Sequence, residues 1–89
     1  MATDRIERLR DALTRALAPR RLEIIDDSHR HAGHAGAATG KGHFRLSIEA
    51  DGFAGLPPLA RHRLVYAAVG TLMETDVHAL SIDARAPGE

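Results

Sequence analysis

Apolar residues recur at helical spacing in the first fifth of the chain, with polar residues between them. This pattern predicts an amphipathic α-helix over residues 4–17, which Pro19 ends. Asp4, followed three residues later by Glu7, favours a capped helix start. The apolar stripe of this helix consists of Ile6, Leu9, Leu13 and Leu17.

Three later segments have the composition or the alternation of β-strands. Residues 22–26 form a short β-prone run. Residues 77–84 form the last predicted strand, in which His78, Leu80 and Ile82 share a face. Residues 43–49 alternate between apolar and polar side chains, which predicts a half-buried strand. Its apolar face holds Phe44, Leu46 and Ile48, and its polar face holds His43, Arg45, Ser47 and Glu49.

A second helix is predicted between the last two strands, from Pro58 to about Met73, because proline suits the first helical turn. Its inward positions are Leu59, Val65, Val69 and Leu72. The element order α-β-β-α-β predicts an α+β fold, a two-layer sandwich with two helices on one face of a three-stranded mixed sheet. The first two strands should be antiparallel and the last two parallel. We expect one domain over residues 1–89, with a short tail at 85–89.

Composition limits the kinds of function that this chain can perform. It has 12 basic and 12 acidic residues, so the basic excess of a strong, sequence-independent nucleic-acid binder is missing. It has no cysteine, which excludes disulfides and thiolate metal sites built from this chain alone. The first ten residues do not resemble a signal peptide, and no segment is apolar for long enough to span a membrane, so we expect a cytoplasmic protein. No nucleophile–base pair or carboxylate pair stands out, and we expect no enzymatic activity.

Histidine is the residue type that departs most from ordinary composition, with six in 89 residues. His29, His31 and His34 lie in a long Gly/Ala-rich segment, residues 28–42, which we expect to be a flexible loop. The predicted topology brings this loop, His43 and His78 to one end of the sheet, where imidazoles could bind a metal ion. Ordinary alternatives are polar loop residues, a solvated His43 and a hydrogen-bonded His78 at the core edge. His62 is predicted to be partly buried on the second helix.

The opposite end of the sheet carries glycines and arginines. Gly52 and Gly55 precede the second helix, as in the G-x-x-G loop with which KH domains clamp a nucleic-acid backbone, and Arg61 and Arg63 follow. The plainer alternative is a strand-to-helix turn whose Phe53 enters the core, with the two arginines on a solvated helix face.

Five sequence blocks in order resemble the signatures of the BolA-like family, over roughly residues 5–87. They are Leu22 to His31 (LEIIDDSHRH), His43-Phe44, Phe53-x-Gly55, Arg61 to Tyr66 (RHRLVY) and Val77 to Ile82 (VHALSI). The resemblance implies a class II KH-like fold. It also implies a monothiol glutaredoxin as partner, with glutathione, and a 2Fe–2S cluster shared between the two proteins.

The resemblance also implies roles for single residues. His78, at the head of the last strand, matches the family's ligand histidine, and His31 matches its loop ligand, here of the histidine type. The longer loop makes His34 and His29 alternative ligands. Other family members are described as DNA-binding regulators of stress response and cell morphology. For this chain that role would use Gly52, Gly55, Arg61 and Arg63. We expect the isolated chain to be a monomer or a weak dimer and not to bind a membrane.

Overall fold

The computed structural model describes residues 2–27 and 42–89. The elements of these residues follow the predicted order, with two additional short helices on either side of the second long helix. They are α1 (Ala2–Leu17), β1 (Arg21–Asp26), β2 (Gly42–Glu49), a 3-10 helix (Asp51–Phe53), α2 (Pro58–Val69), α3 (Leu72–Thr75) and β3 (Val77–Arg85). None of the described helices is long and apolar enough to cross a membrane.

The three strands form one sheet in the order β1-β2-β3. β1 runs antiparallel to β2, with Ile24 opposite Leu46, and β2 runs parallel to β3, with Leu46 opposite Ile82. Both orientations confirm the sequence prediction. Consequently β1 ends, and β2 and β3 begin, at the same edge of the sheet, which we call the histidine end.

The core lies between the helices and one face of the sheet. The alternation along β2 is confirmed, because Phe44, Leu46 and Ile48 are all buried whereas Arg45 and Ser47 are exposed. The helices contribute apolar side chains to the same cluster, namely Leu9, Leu13, Val65 and Val69. The apolar faces of the helices therefore pack against the apolar face of the sheet, and the opposite face of β2 is exposed at Arg45 and Ser47. This arrangement confirms the α+β sandwich.

Helix α1 begins at Ala2, so Asp4 lies inside the helix and the predicted capping box at Asp4 and Glu7 is wrong. The end of the helix is as predicted. Ala18 adopts a left-handed conformation with φ of 43°, its N–H bonds to the Thr14 carbonyl at 3.1 Å, and Pro19 follows. Such a residue commonly closes a helix, although glycine usually occupies the position.

The second predicted helix is interrupted. α2 ends at Val69, and Gly70 adopts φ of 59° before the four-residue α3 begins. The inward direction predicted for Leu59 is also wrong, since it is 62% exposed. Leu59 and Val65 are six residues apart, which at 3.6 residues per turn places their side chains about 120° apart around the helix, so both cannot point at the core.

The predicted tail is part of the folded structure. β3 continues to Arg85, and Ala86 is buried in the core. Glu89 bonds back to the structure through its carboxylate, which accepts hydrogen bonds from Arg61 and from the Ala86 N–H. The tail is therefore held to the folded domain in two ways, by the bond between Glu89 and Arg61 of α2 and by the burial of Ala86 in the core.

Candidate metal centre

Two histidines from neighbouring strands meet at the histidine end. The ring centroids of His43 and His78 are 4.9 Å apart, with the ring planes inclined by 48°. His43 is half-buried and its Nε2 atom is shielded from solvent, whereas His78 is exposed. The solvated position predicted for His43 is therefore wrong. The predicted convergence of His43 and His78 is confirmed.

A β-bulge sets the position of His78. Gly42 pairs with Val77 but His43 pairs with Ala79, so His78 is an extra residue on β3 with no partner in the register. Val77 takes the buried position at the start of β3, and His78 turns outward. The prediction that His78 shares the half-buried face of Leu80 and Ile82 is wrong for this reason. A bulge cannot be read from alternation, because it shifts the alternation by one residue.

Backbone hydrogen bonds fix the frame around the two rings. The Asp27 N–H donates to the His43 carbonyl at 2.7 Å, and the Gly42 N–H donates to the Asp76 carbonyl at 2.9 Å. Both ends of the segment between Asp27 and Gly42 are therefore attached beside the histidine pair. Residues 28–41 themselves lie outside the described residues, and so do His29, His31 and His34, with the loop flexibility predicted for them.

Asp76, two residues before His78, is a nearly buried carboxylate, 6% exposed. One carboxylate oxygen accepts from the Arg8 guanidinium of α1, and the other accepts from the Thr75 hydroxyl at 2.7 Å. The pKa of Asp76 is lowered first by the Thr75 hydrogen bond and then by Arg8 and Arg5, while burial opposes them. The carboxylate is thus held by α1 and Thr75.

The described residues hold no complete set of metal ligands. Within residues 2–27 and 42–89, no group of three or more His, Cys, Asp or Glu side chains is arranged to hold a metal ion. At the histidine end these residues offer two imidazoles, the exposed ring of His78 and the half-buried ring of His43. Imidazole binds iron, zinc and copper, and two histidines on one iron of a 2Fe–2S cluster is the Rieske pattern. Because the chain has no cysteine, any thiolate ligand of such a cluster would have to come from another molecule.

The opposite end of the sheet shows the glycine turn and the start of α2. Gly55 has φ of 78° and Gly52 has open space around it, while Phe53 is completely buried. The alternative in which Phe53 enters the core is thus confirmed. Pro57 caps α2 and Pro58 is its first residue, and proline has no N–H to offer an anion at a helix start.

Arg61 and Arg63 differ sharply in their surroundings. The Arg61 side chain is only 13% exposed. Its Nε donates to the Leu56 carbonyl at 2.8 Å, and its terminal nitrogens donate to the Ala84 carbonyl at 3.1 Å and to the Glu89 carboxylate at 2.7 Å. Arg63, by contrast, is exposed. Of the two arginines, Arg63 is therefore the one whose charge faces solvent.

Two other sequence predictions meet the structure on these elements. His62 is half-buried on α2, as predicted. Arg45, on the polar face of β2 as predicted, is exposed, and its Nε lies 3.8 Å from the Asp27 carboxylate. The sequence places Asp76 two residues before His78, at the histidine end. It does not indicate that the carboxylate is buried and bonded to Arg8 and Thr75.

Comparison with known proteins decides the family. Residues 13–89 match the model of the BolA-like protein family. The chain belongs to the BolA-like family. It is 43% identical over 81 residues to human BolA-like protein 1, covering 91% of this chain and 57% of that protein. It is 37% identical over 76 residues to the Escherichia coli DNA-binding transcriptional regulator BolA, covering 85% of this chain and 70% of that protein.

A solved structure shows the same fold. BolA1 from Arabidopsis thaliana superposes on this BolA-like chain with a TM-score of 0.80 at 38% identity, over 96% of this chain and 94% of that one. The family and fold predicted from the sequence are therefore confirmed. This chain spans just over half the length of the human relative. The Escherichia coli relative is named as a regulator rather than as an enzyme.

Proposed function

We propose that this BolA-like chain is an accessory protein of iron–sulfur cluster trafficking and iron regulation. It binds a monothiol glutaredoxin and supplies histidine ligands to a 2Fe–2S cluster that the two proteins share. The observation that carries the proposal is the contact between His43 and His78, with ring centroids 4.9 Å apart at an end of the sheet where His78 is exposed. An exposed imidazole beside a half-buried one can be reached by a cluster that another protein holds.

The ligand set proposed for this chain is His78 together with His31. His78 stands on the bulge of β3, and the segment containing His31 is attached at both ends beside it. His34 and His29 are the alternatives on the same segment. The sulfur ligands come from the glutaredoxin and from glutathione, because this chain has no thiol.

The test is reconstitution of the mixed complex, followed by visible absorption and circular dichroism. The protein is combined with a monothiol glutaredoxin, glutathione, iron and sulfide under anaerobic conditions. We expect a spectrum distinct from that of the glutaredoxin alone. His78→Ala should remove most of the distinct signal, and His31→Ala should shift it toward an all-thiolate form.

The matched control is His62→Ala, because His62 is half-buried like His43 but lies on α2. This variant should leave the spectrum unchanged. If His34→Ala changed the spectrum and His31→Ala did not, the loop ligand would be His34. If His78→Ala left the mixed spectrum intact, the proposed function of the histidine end would be wrong.

A second candidate function is regulation by DNA binding in the stress response and in cell morphology, at the opposite end of the sheet. It is favoured by the name of the Escherichia coli relative and by the exposed charge of Arg63 on α2, the helix that follows the turn at Gly52 and Gly55. Arg63→Glu should weaken DNA binding and reduce its salt dependence, since fewer phosphates are neutralised. Arg15→Glu on α1 is the control. Equal loss in both variants would indicate non-specific attraction only.

Cellular location is part of the same proposal. The proposed location of this protein is the cytoplasm. Two Arabidopsis relatives are named as chloroplast proteins, one of them also as mitochondrial. Fractionation of the source cells, followed by detection with an antibody, tests this placement directly.

A further inference from the structure

Asp76 joins three parts of the fold immediately before the histidine-bearing bulge. Its N–H donates to the Leu72 carbonyl of α3 at 2.8 Å, and its carbonyl accepts from the Gly42 N–H of β2 at 2.9 Å. Its carboxylate accepts from Arg8 of α1. The second carboxylate oxygen accepts from the Thr75 hydroxyl, also of α3. Every polar group of this residue is therefore engaged, and the partners lie on α1, α3 and β2.

The next residues along the chain make this arrangement relevant to the histidine pair. Val77 is 1% exposed and pairs with Gly42, and the register then slips by one residue at His78. The frame formed by Asp76, Val77 and Gly42 thus fixes the backbone from which the His78 side chain leaves. His43 directly follows Gly42, so the same frame sets the positions of both rings.

The electrostatics explain why α1 takes part. A carboxylate that is 8% exposed is costly to bury unless a cation and hydrogen bonds compensate it. Arg8 supplies the ion pair, and the positive charge of Arg5, three residues earlier on α1, also lowers the pKa of the Asp76 carboxyl. Without these arginines the buried carboxylate would be uncompensated, so we expect it to rotate or shift toward solvent and to displace the backbone of Asp76, Val77 and Gly42.

We infer that Asp76, together with Arg8 and Arg5, is a positioning device for the histidine pair: it fixes the bulge at which His78 is presented beside His43. The inference rests on the proposed function only for what the histidines then bind. The proposed effect of the arginines on the site acts through Asp76 and the backbone.

The primary experiment uses the free protein and does not involve metal. Nuclear Overhauser contacts between the ring protons of His43 and His78 are measured in isotopically labelled protein. We expect a clear contact in the unmodified protein and its loss or marked weakening in the double variant Arg5→Met/Arg8→Met. Arg8→Lys should retain it, because lysine keeps the charge at the same position.

The matched control is Arg15→Met, which removes another α1 arginine from an exposed i,i+4 ion pair with Asp11. It should leave the ring contact unchanged, which separates the inference from a general weakening of α1. If the double variant does not fold, the single variant Arg8→Met is compared with Arg8→Lys, since Arg8 is 56% exposed and tolerates change. An unchanged ring contact in a folded variant without the arginine charge would overturn the inference.

The second readout is the lifetime of the cluster signal in the mixed complex with glutaredoxin. Loss of a group that orients a metal ligand typically costs 10- to 100-fold, so we expect the half-life to fall about tenfold in the double variant and not in Arg15→Met. A weakened ring contact with an unchanged half-life would overturn the role of positioning in cluster binding. A ring contact that responds as expected, in a protein that never yields a mixed spectrum, would support the positioning device and refute the proposed function.

Discussion

The His43 and His78 rings lie 4.9 Å apart across two parallel strands, with the Nε2 atom of His43 shielded from solvent. His43 thus provides one wall against which the exposed ring of His78 rests. A ligand histidine is effective when its ring direction is restricted before the metal arrives. This contact gives His43 a role in the site even where His78 is the ligand.

His43→Ala should therefore weaken the cluster signal of the mixed complex even if His43 is not itself a ligand. Removing its ring frees the His78 side chain, and we expect the half-life of the signal to fall by about tenfold. Visible circular dichroism measures the decay, with His62→Ala as the control. A half-life equal to that of the control would show that the contact does not contribute to the site.

Gly70→Ala should destabilise the fold by about 1–3 kcal/mol, because Gly70 combines φ of 59° with ψ of −131°, a region that side chains rarely adopt. The cost is conformational rather than steric, since an added Cβ would meet the Ala67 carbonyl oxygen at an ordinary 3.7 Å. Urea denaturation measures the free energy of unfolding. Gly52→Ala is the control, with an open position and no positive φ, and its effect should be clearly smaller.

Gly70 also illustrates what the sequence could not predict. The apolar positions Val65, Val69 and Leu72 continue at helical spacing through the break, so periodicity alone predicts one helix. The interruption depends on a backbone conformation that glycine permits but does not require. Strand pairing was predictable for the opposite reason, since loop length and the intervening helix restrict the sheet to one simple arrangement.

Some features of the candidate site could also be predicted from the sequence, and others could not. Connectivity alone places His43 and His78 at one edge of the sheet, so their convergence could be predicted. The bulge could not, because it depends on whether Val77 or His78 is buried, and Val77 is selected by packing in the folded core. The Arg8–Asp76 ion pair joins residues 68 positions apart and depends on where α1 crosses the sheet.

Ala18→Gly should stabilise the protein by about 0.5–1 kcal/mol. Ala18 closes α1 at φ of 43°, a conformation that costs a residue with a side chain roughly 1–2 kcal/mol. Glycine avoids this cost, but its greater conformational freedom in the unfolded chain offsets part of the gain in stability. Ala16→Gly is the matched control, since Ala16 is exposed inside the same helix and should lose about 1 kcal/mol. Urea denaturation of both variants should give effects of opposite sign. A loss of stability in Ala18→Gly would contradict the conformation assigned to the end of α1.

The last prediction concerns the contact that fastens the end of the described chain. The hydrogen bond from Arg61, aided by the Ala86 N–H, lowers the pKa of Glu89 from 4.5 to about 2. A carboxyl group whose pKa falls on folding stabilises the folded state fully above its unfolded pKa, and this contribution disappears as pH falls toward the folded pKa. Glu89→Gln should therefore be less stable than the unmodified protein at pH 7. The difference should persist down to about pH 5 and then shrink toward pH 2.

Urea denaturation of the two proteins at several pH values measures this difference directly. Glu89 is 43% exposed, so salt should also reduce the difference at pH 7. Asp11→Asn, which breaks the exposed pair with Arg15 on α1, is the control and should show little effect at any pH, because an isolated surface pair contributes little. A Glu89→Gln difference that stays constant from pH 7 to pH 3 would show that its cause is not the charge on Glu89. The packing of Ala86, rather than the Arg61–Glu89 pair, would then hold the end of the chain against α2.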